Sequence, residues 1–231
     1  MSAAVVIGAS GGIGAALADA LEEEGAHDRV WRFARSAAGA DRLDLLDEAS
    51  IAAAAARVAS GPAPTLVIVA TGLLHEGERG PEKNWRDLDG EWLARSYAVN
   101  AIGPTLVMKH FLPLLPKVGA PVFAALSARV SSITDNRMGG WYGYRASKSA
   151  LNMLVATAAI EARRRYDRTI VVGLHPGTVD TALSRPFQGN VAEGRLFAPD
   201  RAAVQLLDVI DGLKPKDSGR LFGWDGAEIP F

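Results

Sequence analysis

The chain opens on an apolar run, Ala3-Ala4-Val5-Val6-Ile7, that passes directly into Gly8-Ala9-Ser10-Gly11-Gly12-Ile13-Gly14. A segment of helical composition and period, Ala15 to Glu22, follows at once. Strand, glycine turn and helix in immediate succession leave few folds open. Glycines at such a junction let the backbone turn sharply and approach a ligand, while the free amides and positive dipole end of the helix attract a pyrophosphate. The flanking strand and helix supply the context that makes this a dinucleotide site; without a ligand it is a tight strand-helix turn. A phosphate-loop NTPase is disfavoured because no Gly-Lys-Ser/Thr follows the glycines.

The rest of the chain repeats the alternation. Strands are expected at residues 3–7, 29–34, 41–45, 65–70, 121–127 and 169–174, with a last edge strand at 220–223. Helices are expected at 12–24, 49–59, 91–112 (as one or two), 142–165 and 198–212. Such a pattern predicts right-handed βαβ crossovers and a parallel sheet covered on both faces, with ligands at the carboxyl ends of the strands. Each candidate segment falls there: residues 8–14, 34–36, 44–45, 70–72, 127–132 and 175–181. At 231 residues and 48% hydrophobic, the chain is expected to bury one core as a single domain, 1–231.

Composition excludes several function classes. A net charge of -1 gives no global attraction to nucleic acid or anionic membrane, and Arg163-Arg164-Arg165 reads as a solvated helix end. There is no Cys, hence no disulfide, thiol nucleophile or thiolate metal site, and His27, His75, His110 and His175 lack metal-ligand spacing. No apolar run approaches a membrane span and no leader signal is evident, so the expected location is the cytoplasm.

Tyr144-Arg145-Ala146-Ser147-Lys148 stacks a phenol and an ammonium on one helix face. A cation beside a phenol favours the phenolate and brings its pKa toward neutrality, making a group that exchanges a proton with a carbonyl or alcohol oxygen. An isolated pair of this spacing arises readily by chance, as a packed Tyr and a solvated Lys; the glycine turn gives this one its meaning.

These residues, with Ala70-Thr71-Gly72, YAVNAIGP at 97–104, SARVSSITDNRMGGWYGYRASKSALN at 127–152 and HPGTVDT at 175–181, resemble the short-chain dehydrogenase/reductase family, in its C-factor-like and sniffer-like carbonyl reductase branch. The resemblance covers nearly the whole chain. It implies an α/β, Rossmann-type doubly wound sheet of about seven strands and reversible hydride transfer between NAD(P) and an alcohol or carbonyl compound. It also implies Tyr144 as acid/base and Lys148 as the group that lowers its pKa and binds the nicotinamide ribose. Asn100 matches the residue that helps hold a proton-relay water, with an Asn satisfied by backbone at a helix bend as the alternative. Gly8, Ser10, Gly12, Ile13 and Gly14 match the pyrophosphate turn, although Ile7 stands where Thr is usual. Asp44 and Leu45 match adenine contacts, with helix capping as the alternative for Asp44. Ala70, Thr71 and Gly72 replace Asn-Ala-Gly on the adenine ribose side. Pro176, Gly177, Val179 and Thr181 match further cofactor-binding positions.

Two departures bear on function. Ala128 holds the usual place of the serine that bonds the substrate oxygen. Counting back from Tyr144 reaches Ser131 instead, so Ser131 is the expected substitute, with Ser132 and Ser127 as alternatives. At the end of the second strand, Arg35 and Ser36 stand where an acid would select NAD(H), so NADP(H) is expected in preference to NAD(H). A short lid is expected at about 181–198, with Leu183, Pro186, Phe187 and Phe197 facing an apolar substrate and Ser132, Ile133, Met138 and Trp141 opposite. The partner is a small carbonyl or alcohol compound, and the apolar helices at 97–115 and 142–165 suggest a homodimer or homotetramer. A dinucleotide-binding regulatory protein of little activity is the second reading, motivated by Ala128 and Thr71; an α/β protein that binds no dinucleotide is the third.

Overall fold

The computed structural model describes residues 1–165 and 168–231. The first half of the chain forms β1 (Ala3–Ile7), α1 (Gly12–Glu24), β2 (Arg29–Phe33), α2 (Glu48–Ala59), β3 (Pro64–Val69), α3 (Gly90–Tyr97) and α4 (Gly103–Phe111). The second half forms β4 (Val122–Leu126), α5 (Tyr142–Arg165), β5 (Ile170–His175), β6 (Thr178–Val179), β7 (Leu196–Phe197), α6 (Pro199–Gly212), β8 (Leu221–Gly223) and β9 (Glu228–Ile229).

Seven strands form one sheet in the order β2-β1-β3-β4-β5-β8-β9, parallel except for the β8–β9 pair. The order reverses at β1, which pairs with β2 on one side and β3 on the other; a crevice opens beyond the strand ends at such a reversal. Strands β1, β4 and β5 are almost wholly buried, as apolar runs covered on both faces must be. Alternate residues divide between two cores. Val5, Ile7, Val67, Phe123 and Val171 pack against Ile51, Phe111, Leu151 and Val155 of α2, α4 and α5. Ala4, Val6, Ile68, Val172 and Leu174 pack against Leu17 and Leu21 of α1 and Leu206 and Ile210 of α6.

The expected strand at 41–45 is absent. Gly39–Asp41 is a 3-10 turn and Arg42 makes only an isolated bridge to Ala34. The segment crosses over the end of β2 instead of running beside it: Leu43 and Leu45 are buried, and Asp44 N donates to Ser50 Oγ of α2 at 2.9 Å. The seventh sheet strand is β9, which the sequence did not signal, so residues 220–223 are not the edge. Helical residues 91–112 resolve into α3 and α4 joined by a π turn, Ala98–Ile102, that turns Asn100 inward. Strands β6 and β7 pair with each other and tie together the two ends of the expected lid, whose middle is a 3-10 turn at Arg185–Asn190. Among the described residues no helix is long and apolar enough to cross a membrane.

Candidate active site

A cleft of about 560 Å³ opens at the carboxyl ends of β1, β3 and β4 and gathers residues from both halves of the chain. Its floor is the glycine turn, where Gly8, Gly12 and Gly14 leave no room for a side chain. Gly8 has φ +91°, and a Cβ there would lie 2.7 Å from Ala70 O; one on Gly12 would lie 2.7 Å from Thr181 Cγ2, and one on Gly14 2.2 Å from Gly8 O. No side chain caps α1 at Gly11, so the first amides of that helix are left for an anion. Gly8, Ser10, Gly12 and Ile13 line the cleft, while Gly14 lies behind the turn against Gly8.

One wall carries Arg35, Asp44, Leu45, Ala70, Thr71 and Gly72. Arg35 is exposed and makes no salt bridge among the described residues; Ser36 is also exposed, and it does not line the cleft. Thr71 Oγ1 is buried without a hydrogen-bond partner among the described residues. Leu43, Leu73, His75, Glu76, Arg95 and Val99 belong to the same lining, and none was singled out from sequence. Leu43 reaches the cleft from the crossing segment before α2, Leu73, His75 and Glu76 from the excursion after β3, and Arg95 and Val99 from α3 and the π turn. Arg95 pairs with Glu76 at 3.0 Å and holds that carboxyl below its ordinary range.

The opposite wall is the start of α5 with the end of β4: Leu126, Ser127, Tyr144 and Lys148. Lys148 is 2% exposed, and its Nζ donates to Leu126 O at 2.7 Å and Thr71 O at 3.3 Å, spanning the ends of β3 and β4. Burial pushes its amine down to about 7 and the Tyr144 phenol up to about 12. Loss of solvation is the cause of both shifts, and no lowering of the Tyr144 phenol by Lys148 accompanies them. Asn100 does not line the cleft. Its Oδ1 accepts from Leu73 N at 2.7 Å, and its Nδ2 donates to Leu73 O at 2.8 Å and Ser147 Oγ at 3.0 Å. It thus ties the loop after β3 to α5. A Cβ at Gly72 would lie 3.7 Å from Lys148 Nζ and 3.9 Å from Asn100 Oδ1, so all three converge.

The expectation for Ser131 is corrected. Its hydroxyl donates to Ala128 O at 2.5 Å and accepts from Asn152 Nδ2 at 2.7 Å, inside a 3-10 turn that buries it away from the cleft. Ser132 is occupied with Asp135 N at 3.1 Å. The serine on the cleft wall is Ser127, whose Oγ donates to Asn152 Oδ1 at 2.7 Å. Ala128 is buried.

Over the mouth, the Trp141 ring stands edge-on to Tyr144 (centroids 6.3 Å apart) and to Phe187 of the lid (5.2 Å). Phe187 in turn meets His75 at 5.9 Å, and His75 Nε2 lies 3.0 Å from Ala182 O. Ile133 and Met138 are largely exposed and do not form the expected facing wall. Pro176, Thr181 and Leu183 line the cleft; Gly177, at φ +78°, packs against Phe197 and Trp224, and Val179 is buried in the β6–β7 ribbon. Among the described residues no cluster suits a metal ion.

Comparison with known proteins gives the family and the fold. The short chain dehydrogenase family profile matches residues 2–191. The C-signal protein of Myxococcus xanthus is 38% identical over 145 residues, covering 63% of this chain and 82% of that one. The 1-hydroxy-2-glutathionyl-2-methyl-3-butene dehydrogenase of Rhodococcus sp. (strain AD45) is 32% identical over the full length of both chains. Among solved structures, an NADPH-bound carbonyl reductase from chicken fatty liver superposes with a TM-score of 0.82 at 27% identity, covering 100% of this chain and 94% of that one.

Proposed function

This chain belongs to the short-chain dehydrogenase/reductase family, in its C-factor-like and sniffer-like branch, and within that family we propose that it is an NADP(H)-preferring reductase of small carbonyl compounds with Tyr144 as acid/base. The observation that carries the reading is the convergence in one cleft of a turn whose Gly8, Gly12 and Gly14 leave no room for a Cβ, an Arg35 with no salt bridge among the described residues, and the Tyr144–Lys148 helix. The residues suit a dinucleotide. The free amides at the start of α1 would receive its pyrophosphate, Arg35 would receive a 2′-phosphate, and Thr71 Oγ1, buried and without a partner among the described residues, would offer a hydrogen bond on the same wall. When bound, the cofactor supplies or accepts the hydride.

The chain's own residues handle the proton. A phenol raised to about 12 stays protonated at neutral pH, which is the form that donates to a carbonyl oxygen as charge develops there. Lys148, an amine that burial brings to about 7, stands one turn further along α5 on the same cleft wall. Its place is fixed by Leu126 O and Thr71 O, and Asn100 steadies the loop that carries Thr71. Ser127 is the serine positioned to meet the substrate oxygen; its hydroxyl would exchange Asn152 Oδ1 for that oxygen. The Trp141–Phe187–His75 edge favours an apolar substrate.

Turnover of NADPH with a panel of aldehydes and ketones tests the assignment. Tyr144→Phe should lower kcat by roughly 10²–10⁴-fold while leaving NADPH affinity within a few-fold. Tight NADPH binding with no turnover on a broad panel would favour a regulatory dinucleotide-binding protein, a reading that Ala128 and the engaged Ser127 hydroxyl keep open.

A further inference from the structure

Helix α5 carries both Tyr144 and Lys148, yet its own sequence gives it no cap. The residue before its first turn is Trp141, which has no side-chain oxygen to accept a helix amide and sits at φ +54°, an uncommon conformation for a bulky side chain. Arg145 N already donates to Trp141 O at 2.8 Å, so the helix starts there. The missing acceptor comes from 61 residues upstream. Glu82, in the excursion between β3 and α3, is 3% exposed; its Oε2 accepts from Gly143 N at 3.0 Å and its backbone oxygen accepts from Trp141 N at 2.5 Å. Its Oε1 has no partner among the described residues. The carboxylate is therefore held by one amide and by the positive end of α5.

The absence of a side chain at Gly143 lets the Glu82 carboxyl lie close against the helix backbone. A Cβ on Gly143 would fall 2.9 Å from Glu82 Oε1 and 3.1 Å from Ser96 Oγ. The backbone that Glu82 grips is thus immediately before the acid/base, and Trp141, gripped through its own amide, is the residue whose ring stands over Tyr144. From this geometry we infer that Glu82 is a positioning residue: it caps the active-site helix from a distant loop and sets where the Tyr144 hydroxyl stands. The inference rests on the reductase reading for its consequence in kcat. The capping contact itself does not depend on that reading. Misplacing a reacting group by a fraction of an ångström to 1 Å slows chemistry far more than it weakens ligand binding, because binding draws on many contacts and proton transfer on one.

The test compares Glu82→Ala with Glu82→Gln, whose amide oxygen can still accept from Gly143 N. Three quantities are measured: NADPH-dependent kcat, NADPH affinity, and amide hydrogen exchange across residues 139–150. In Glu82→Ala we expect kcat to fall about tenfold, NADPH affinity to stay within about twofold, and exchange at the start of α5 to accelerate. In Glu82→Gln we expect kcat within about threefold of the parent and parental exchange, which a general loss of packing would not produce. Unchanged kcat and exchange in Glu82→Ala would overturn the assignment; so would equal damage from both substitutions, or losses of kcat matched by losses of NADPH binding. Should Glu82→Ala fail to fold, Glu82→Gln alone decides, parental kcat and exchange supporting the role and a tenfold loss refuting it. If the parent protein reduces no carbonyl compound, the reductase reading fails, while the exchange comparison still decides whether Glu82 caps α5.

Discussion

Burying an amine and a phenol beside one cleft moves their ordinary pKa values in opposite directions, because each is pushed toward its neutral form. For Lys148 the shift runs from 10.5 to about 7. Between those values the unfolded chain binds a proton that the folded chain does not, so stability contributed through this group rises as pH rises through the window and is lowest below it. Relative to Lys148→Met, the parent protein should gain roughly 2–4 kcal/mol between pH 7 and 10 in urea melts; parallel curves would refute the burial argument. Arg35 makes a separate claim. It lines the cleft just beyond β2 and makes no salt bridge among the described residues, so Arg35→Ala should weaken NADPH by about tenfold or more and NADH by less than about threefold in a binding titration. Equal effects on both would remove the 2′-phosphate role.

At the scale of elements, the glycine turn and α5 depend on distant segments. Gly14 packs where a Cβ would lie 2.2 Å from Gly8 O, and that oxygen belongs to backbone fixed by β1, so it has little room to give. Gly14→Ala should lower stability by about 2–4 kcal/mol and weaken dinucleotide binding, read by thermal melting and by titration. A variant melting within a degree of the parent would contradict the packing. The strand, turn and helix at the N-terminus were legible because each is signalled by contiguous residues. The segment at 41–45 was misread because its apolar residues, Leu43 and Leu45, are buried by a crossing chain that pairs with no neighbour beyond one bridge. Short β6, β7 and β9 were missed or displaced for the same reason: two-residue pairings have too few side chains to show a period.

For the whole molecule, the surface left by the folded chain bears on assembly. Ile102 of the π turn and Met153 and Ile160 of α5 are 53%, 67% and 59% exposed, on the helices whose apolar faces suggested association. A homodimer through these helices is the proposal. Light scattering should report twice the 24.4 kDa chain mass, and Met153→Glu with Ile160→Glu should return it to one. A monomeric parent protein would place these side chains in ordinary solvent-exposed positions.

The sequence by itself determined the order of the long strands and helices, the doubly wound parallel sheet, and the identity of the glycine turn, Arg35, Tyr144 and Lys148 as residues of one crevice. Strand and helix periods are local, and the crossover rule carries strand ends to a common edge. Only the tertiary structure decided which serine stands in the cleft and how the buried amine and phenol titrate. It also showed that Glu82 reaches 61 residues along the chain to cap the helix carrying Tyr144. Those depend on where a short 3-10 turn points a hydroxyl, on how much water is excluded, and on which loop comes to rest against a helix end. None of these is set by neighbours in sequence.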